Sequence, residues 1–454
     1  MKTLLKGGYV VSGGGTTQAD VLLEGEKIAA VGPELPAADA QTVDCGGKLL
    51  FPGFIDAHTH FDLEVAGTIT ADDFATGTRA ALRGGTTMVI DFAAPDKGET
   101  LARGLARWRE KAEGRAACDY GFHMTIDDWN PGISREIGDM LDQGIPTFKM
   151  YMTYPAMMLP EEDMYRALKR LKEAGGLAGV HCENNGITSA LAGEAKAAGR
   201  LSPASHPRTR PVPAEAAAVG QLLRMAQVAD VPVMIVHLSA RESLEEVRSA
   251  RRRGQTVYVE TCPHYLLLED SVYDNPDFLE AAKYVCAPPL RKREDCEALW
   301  EALKNGEIQT VATDHCSFTL AQKRAGQYDF TKIPGGLPGV EHRAVLLYTC
   351  GVAAGRISAE DMCGVLSENP AKLYGCWPQK GVIAPGSDAD IVVFDPAAEG
   401  RITAEDQSQN VDYTPYEGIQ TRGAVERVYL RGVLAAEDGR LFRTTGRFVP
   451  RKLV

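Results

Sequence analysis

A chain of 454 residues, 44% hydrophobic and 24% charged, can bury a large core, which excludes a disordered or fibrous protein. Its net charge of −12 and the lack of any basic block beyond Arg251-Arg252-Arg253, which reads as a helix end, exclude nucleic acid as an expected partner. No run nears the roughly 18 uninterrupted apolar residues of a membrane span, and the start is too short in apolar residues for a signal peptide. The expected location is therefore the cytoplasm. Ten scattered cysteines without a Cys-x-x-Cys pair suggest no disulfide framework and read as small core residues.

In chain order, residues 1–50 read as short strands with turns. Eight β-rich runs follow at 51–58, 85–92, 118–126, 145–152, 177–182, 231–238, 256–262 and 309–314. Between them, Leu101 to Ala117, Glu161 to Ala174, Glu215 to Ala229, Glu242 to Arg253 and Cys296 to Asn305 are rich in helix formers and often close on Gly. Eight β/α units in order predict an α/β fold, a (β/α)8 TIM barrel spanning 51–380. Residues 381–395 and 424–443 again read as strands. Neither chain end alone holds enough strands for a core, so 1–50 and 381–454 are expected to join in a small β-sandwich domain.

Metal-ligand residue types recur at the ends of the barrel runs, where that fold places its chemistry. His58 and His60 close the first run, and a spacing of two puts both imidazoles on one strand face, within reach of one divalent cation. His181 and His237 end consecutive runs and suit a second ion. Asp314 at the last strand suits a ligand that also takes a proton from a bridging water, the alternative being a helix N-cap. Lys149, near the end of run four, is less usual, because an ammonium beside divalent cations is repelled. Either a barrel carboxylate pairs with it, or its neutral amine reacts with carbon dioxide to give a carbamate able to bridge two metals. Tyr154 is placed to donate to an oxyanion, with packing as its other reading. Ile333 to Glu341 is a Gly/Pro-rich loop that can approach a ligand closely, and without Gly-Lys-[Ser/Thr] it is no P-loop.

Several runs together resemble the dihydropyrimidinase/hydantoinase branch of the amidohydrolase superfamily, over nearly the whole chain. They are Asp56-Ala-His-Thr-His60, the stretch Ala71 to Ala81, Phe148-Lys-Met-Tyr-Met-Thr-Tyr154, His181-Cys-Glu-Asn184, Glu260-Thr-Cys-Pro-His-Tyr-Leu266, Ala287-Pro-Pro-Leu-Arg291, Thr313-Asp-His-Cys316 and Pro338-Gly-Val-Glu341. The resemblance implies a hydrolase of 5-substituted hydantoins and dihydropyrimidines, usually a homotetramer, with two zinc ions and a carboxylated Lys149 between them. It assigns His58, His60 and Asp314 to one ion, His181 and His237 to the other, and Tyr154 to the oxyanion. A metal-bridging hydroxide is then expected to open the ring to an N-carbamoyl amino acid, with Asp314 passing its proton to the leaving nitrogen.

Two positions depart from the family pattern. Ala287 stands where Ser often precedes Pro-Pro-Leu-Arg, and Gly335 where Asn is common, which leaves backbone contacts to the substrate ring. Leu63, Val65, Met157 and Met158, in the loops Phe61 to Thr70 and Thr153 to Pro160, predict an apolar pocket for the ring substituent. Ala287 favours allantoinase or another cyclic-ureide hydrolase as the alternative, against the apolar loops and the run 71–81. Non-catalytic scaffold relatives have lost metal ligands, whereas all six are present here.

Overall fold

The computed structural model describes residues 2–36, 39–65 and 67–453, so Ala66 of the loop Phe61 to Thr70 lies outside the described residues. Eight parallel strands pair in chain order: Phe54–Thr59, Thr86–Ala93, Asp119–Thr125, Thr147–Tyr151, Leu177–His181, Val233–Ile235, Val257–Thr261 and Thr310–Val311. Parallel strands covered by helices are buried on both faces, and Thr86–Ala93 is buried at every position. Near its C-terminal rim the barrel is closed by a parallel bridge between Thr59 and His315. There the His60 N–H donates to the His315 carbonyl at 2.8 Å and the His315 N–H to that of His58 at 3.3 Å. This seam sets His58 and His60 beside Asp314.

The helices follow local chemistry. Glu161–Ala174 begins with Glu161, Glu162 and Asp163 at its positive end, buries Met164, Ala167, Leu168 and Leu171 on one stripe, and ends on Gly175 at φ 81°. Phe74–Arg83 starts with a capping box between Asp73 and Thr76. Among the described residues no helix is long and apolar enough to cross a membrane.

The first β-rich run divides at Gly53, where a side chain would run into Thr87 and Asp390. Leu49–Pro52 joins the second sheet and Phe54–Thr59 opens the barrel. That second sheet has nine strands and draws on both chain ends: Leu49–Pro52 pairs with Lys2–Ser12 on one side and Ile391–Arg401 on the other. Its own core holds Leu5, Val21, Leu23, Leu50, Ile391 and Val393. We propose the division into a barrel body of 51–380 and a composite β domain of 1–50 with 381–454, with Phe51 and Pro52 at the boundary pairing into the second sheet. The last residues cross that division, because the period-two pattern stops at Arg440–Leu441 and the tail turns back under the barrel. The Val449 N–H donates to the Tyr120 carbonyl at 2.8 Å and the Arg451 N–H to that of Gly144 at 2.9 Å, both at the N-terminal ends of barrel strands.

Candidate metal centre

The barrel brings every proposed ligand to one cleft. His58 lies near the end of strand one and His60 just past it, Lys149 lies within strand four, His181 ends strand five, and His237 and Asp314 follow strands six and eight. All six line a cleft of about 530 Å³ together with Tyr154, Leu63, Val65, Met157, Ala287 and Gly335. Met158 does not line it. Both Met157 and Met158 donate their N–H to the Tyr154 carbonyl at 2.8 Å, and the tight turn this makes puts successive side chains in different directions, Met157 onto the cleft.

The nitrogens are turned as a cation would need them. His58 and His60 bring their Nε2 atoms to 3.2 and 3.1 Å from the same Asp314 oxygen. His58 Nδ1 lies 2.6 Å from Glu260 and His181 Nε2 lies 2.8 Å from Glu183, which leaves His58 Nε2 and His181 Nδ1 for the cleft. Glu183 also accepts from Arg210 at 2.7 Å. The His181 and His237 rings are 4.5 Å apart, and those of His58 and His237 5.3 Å. Ligand atoms of His58, His237 and Asp314 lie within 4.8 Å of one another. His58 Nε2 and His237 Nδ1 are buried with no aligned hydrogen-bond partner, and a buried polar atom left so is costly unless a ligand completes it. The residues therefore fit a metal.

Burial and charge agree with that fit. Burial drives the His58 and His237 imidazoles well below their ordinary range, and lowers His181 despite the opposing pull of Glu183, so all three stay in the neutral form that coordinates. Asp314 would be raised by burial, but the hydrogen bond and charge of His60, with Lys149, hold its carboxyl below the usual value. Lys149 is buried beside the Phe92 and Tyr151 rings, 4.9 and 5.1 Å from their centroids, and burial lowers its pKa to about 8. Among the described residues no carboxylate lies within ion-pairing distance of its Nζ, so the ion-paired alternative has no partner. Tyr154, His237 and Asp314 also hold left-handed backbone at φ 65°, 38° and 49°. For side chains other than glycine this costs on the order of 1–3 kcal/mol each and collects at functional sites.

The sequence reading singled out neither Glu183, Glu260 and Arg210 as partners around the ligands nor Asn185, Thr188 and Phe330, which also line the cleft, whereas Ile333 opens the loop expected to approach a ligand. Glu183 and Glu260 stand inside motifs already noted, and a carboxylate two residues beyond His181 was the available signal.

An eight-stranded parallel barrel with histidines, a lysine and an aspartate at its strand ends defines a metal-dependent hydrolase class. The chain belongs to the amidohydrolase family, whose model matches residues 49–435. It is 43% identical to a D-hydantoinase of Streptomyces coelicolor over 95% of this chain and 93% of that one. A D-phenylhydantoinase of Escherichia coli is 40% identical over 100% of this chain and 98% of that one. Among solved structures, a dihydropyrimidinase from Brevibacillus agri superposes with a TM-score of 0.98 at 43% identity, covering 99% of each chain. These relatives place the chain in the dihydropyrimidinase/D-hydantoinase branch.

Proposed function

We propose that this cyclic amide hydrolase opens the ring of 5-substituted hydantoins and dihydropyrimidines to N-carbamoyl amino acids, with two zinc ions held around a carboxylated Lys149. His58, His60 and Asp314 would hold one ion, and His181 and His237 the other. The observation that carries this reading is the convergence of six ligand residues on one cleft with His58 Nε2 and His237 Nδ1 left unpartnered. The names and full-length similarity of the relatives support the substrate class. When bound, the ions supply Lewis-acid polarisation of a carbonyl and make hydroxide available at neutral pH.

The remaining roles fall to the chain. The lowered pKa of Lys149 leaves a neutral fraction of amine near pH 7; its nitrogen bonds to the carbon of CO2 and releases a proton, giving a carbamate whose two oxygens share one negative charge. Asp314 stays ionised and takes the proton of the attacking water. It returns that proton to the ring nitrogen as the C–N bond breaks. Burial raises the Tyr154 phenol, which keeps it protonated and able to donate to the oxyanion. Ala287 and Gly335 have only backbone polar groups with which to contact the ring. Leu63, Val65 and Met157 form the apolar side for the substituent. Cytoplasmic location and a homotetramer are part of the same proposal; the ten free thiols support a reducing compartment.

Ring-opening rates of zinc-loaded protein on D- and L-phenylhydantoin, dihydrouracil and allantoin, with bicarbonate present, test the reading. Fast opening of D-phenylhydantoin is expected. Turnover of allantoin alone would replace it with the cyclic-ureide reading, and inactivity on all four would contradict it.

A further inference from the structure

Lys323, at the end of the short helix Leu320–Lys323, is wholly buried, and no carboxylate pairs with it among the described residues. Its Nζ instead donates to three main-chain carbonyls: Val285 at 3.0 Å, Pro334 at 2.8 Å and Gly336 at 2.8 Å. An ammonium has three donors, and all are met. Burying a charge without a counter-charge is unfavourable, and here burial lowers the pKa to about 7. A side chain of this kind calls for a reason beyond filling space.

The three carbonyls belong to two backbone edges of the cleft, Val285 to Ala287 and Pro334 to Gly336. Val285, Ala287, Gly335 and Gly336 all line it. The edges are tied to each other by the Gly336 N–H, which donates to the Val285 carbonyl at 2.9 Å. A second tether reaches the first edge where His206 Nε2 donates to the Cys286 carbonyl at 2.7 Å. Between these anchored groups, Ala287 and Gly335 make no hydrogen bond through N–H or C=O to any described residue. Both residues line the cleft, so the two adjoining edges leave free amide groups there for a ligand. A ring built from alternating N–H and C=O groups is the complementary ligand, and the fit depends on how far apart the edges stand.

We propose that Lys323 is a positioning residue whose three-way clamp sets the spacing of these two edges, and through it the ring size the cleft accepts. The inference rests on the ring-opening reading above and goes beyond it by naming what fixes ring recognition when neither edge has a polar side chain to contribute.

The test compares kcat and KM for a five-membered ring, hydantoin, and a six-membered ring, dihydrouracil, in the zinc-loaded wild type, Lys323→Met and His206→Asn, with zinc content measured on each. In Lys323→Met, KM is expected to rise at least tenfold for the preferred ring, the kcat/KM ratio between rings to change at least tenfold, and zinc to stay unchanged. His206→Asn, which removes one tether of the first edge and also alters the cleft wall, serves as a comparison for a change that leaves the clamp in place. A purely structural role would lower both rings equally and leave KM alone, which would overturn the inference. If Lys323→Met does not fold, Lys323→Gln, which can keep at most two of the three contacts, takes its place: a shifted ratio supports the inference and an unchanged one overturns it. A wild type that opens neither ring overturns the proposed function as well; an active wild type with unmoved variants overturns the clamp alone.

Discussion

At the floor of the barrel the buried Lys380 ammonium sits among three carboxylates, 2.5 Å from Asp119, 3.0 Å from Asp388 and 2.6 Å from Asp390; at the mouth the equally buried Lys149 has none. Burial alone would lower both amines. At the floor the charges of Asp390 and Asp388 overcome it and raise Lys380, whereas Lys149 falls to about 8. The carboxylates of Asp119, Asp388 and Asp390 cluster closely enough for a cation, as do His58, His237 and Asp314. The floor supplies that cation from its own chain. The mouth does not, and His58 Nε2 and His237 Nδ1 stay without an aligned hydrogen-bond partner. The same fold thus uses buried polar groups at one end to join barrel and small sheet, and at the other leaves them to be completed by something bound.

Exchanging the two lysines for methionine separates these uses. Lys149→Met should lower ring opening by at least about 10³-fold, since the bridge between the two proposed ions is lost. Compared as metal-free protein, it should leave the thermal unfolding midpoint unchanged or higher, because an unpaired buried amine is replaced by an apolar group. Lys380→Met should do the reverse. With Asp390 losing its paired cation, and Asp119 and Asp388 left to Arg431 and Lys27 alone, it is expected to lose about 3–5 kcal/mol in urea unfolding, while kcat per folded molecule holds. Tyr154→Phe confines the damage to one donor at the mouth. Its kcat should fall about 10²–10³-fold with little change in KM, as steady-state kinetics would show.

The smallest effect sharpens the floor side through pH. Burial would raise Asp388, but Lys380 and Lys27 hold its carboxyl below the ordinary value, so its contribution is present above about pH 4 and lost as pH falls through the depressed value. Lys380 is raised, so its contribution is present below about pH 10 and lost as pH climbs through the elevated value. Urea midpoints followed across that range should decline at both edges in the wild type, and Lys380→Met should flatten both declines. A wild-type profile without either edge would remove the floor's electrostatic account.

Much of the mouth was legible because two periodicities coincide there. Period two places His58 and His60 on one face, and barrel strands put their functional residues at one end, so His181, His237 and Asp314 could be placed at the mouth without knowing a single contact, while their sharing between two ions came from the family resemblance. The joining of the chain ends was legible because neither had strands enough for a core. The rest depends on contacts between segments far apart in sequence. Glu260 orients His58 across 202 residues, which no local pattern encodes. Met157 and Met158 sit in a tight turn with no periodicity to say which faces the cleft. Lys323 falls in none of the elements read from the sequence, and its three carbonyls become visible once two loops fold over it. The tail after Leu441 shows no alternation, so its return under the barrel was hidden too.

The central claim is that the mouth is incomplete without metal gathered around Lys149. Elemental analysis of zinc per chain, on wild type and Lys149→Met loaded side by side with bicarbonate present, tests it most directly. The account predicts about two zinc ions per wild-type chain and clearly fewer in the variant. A wild type that retains none after loading, or a variant that holds as much as the wild type, would contradict it.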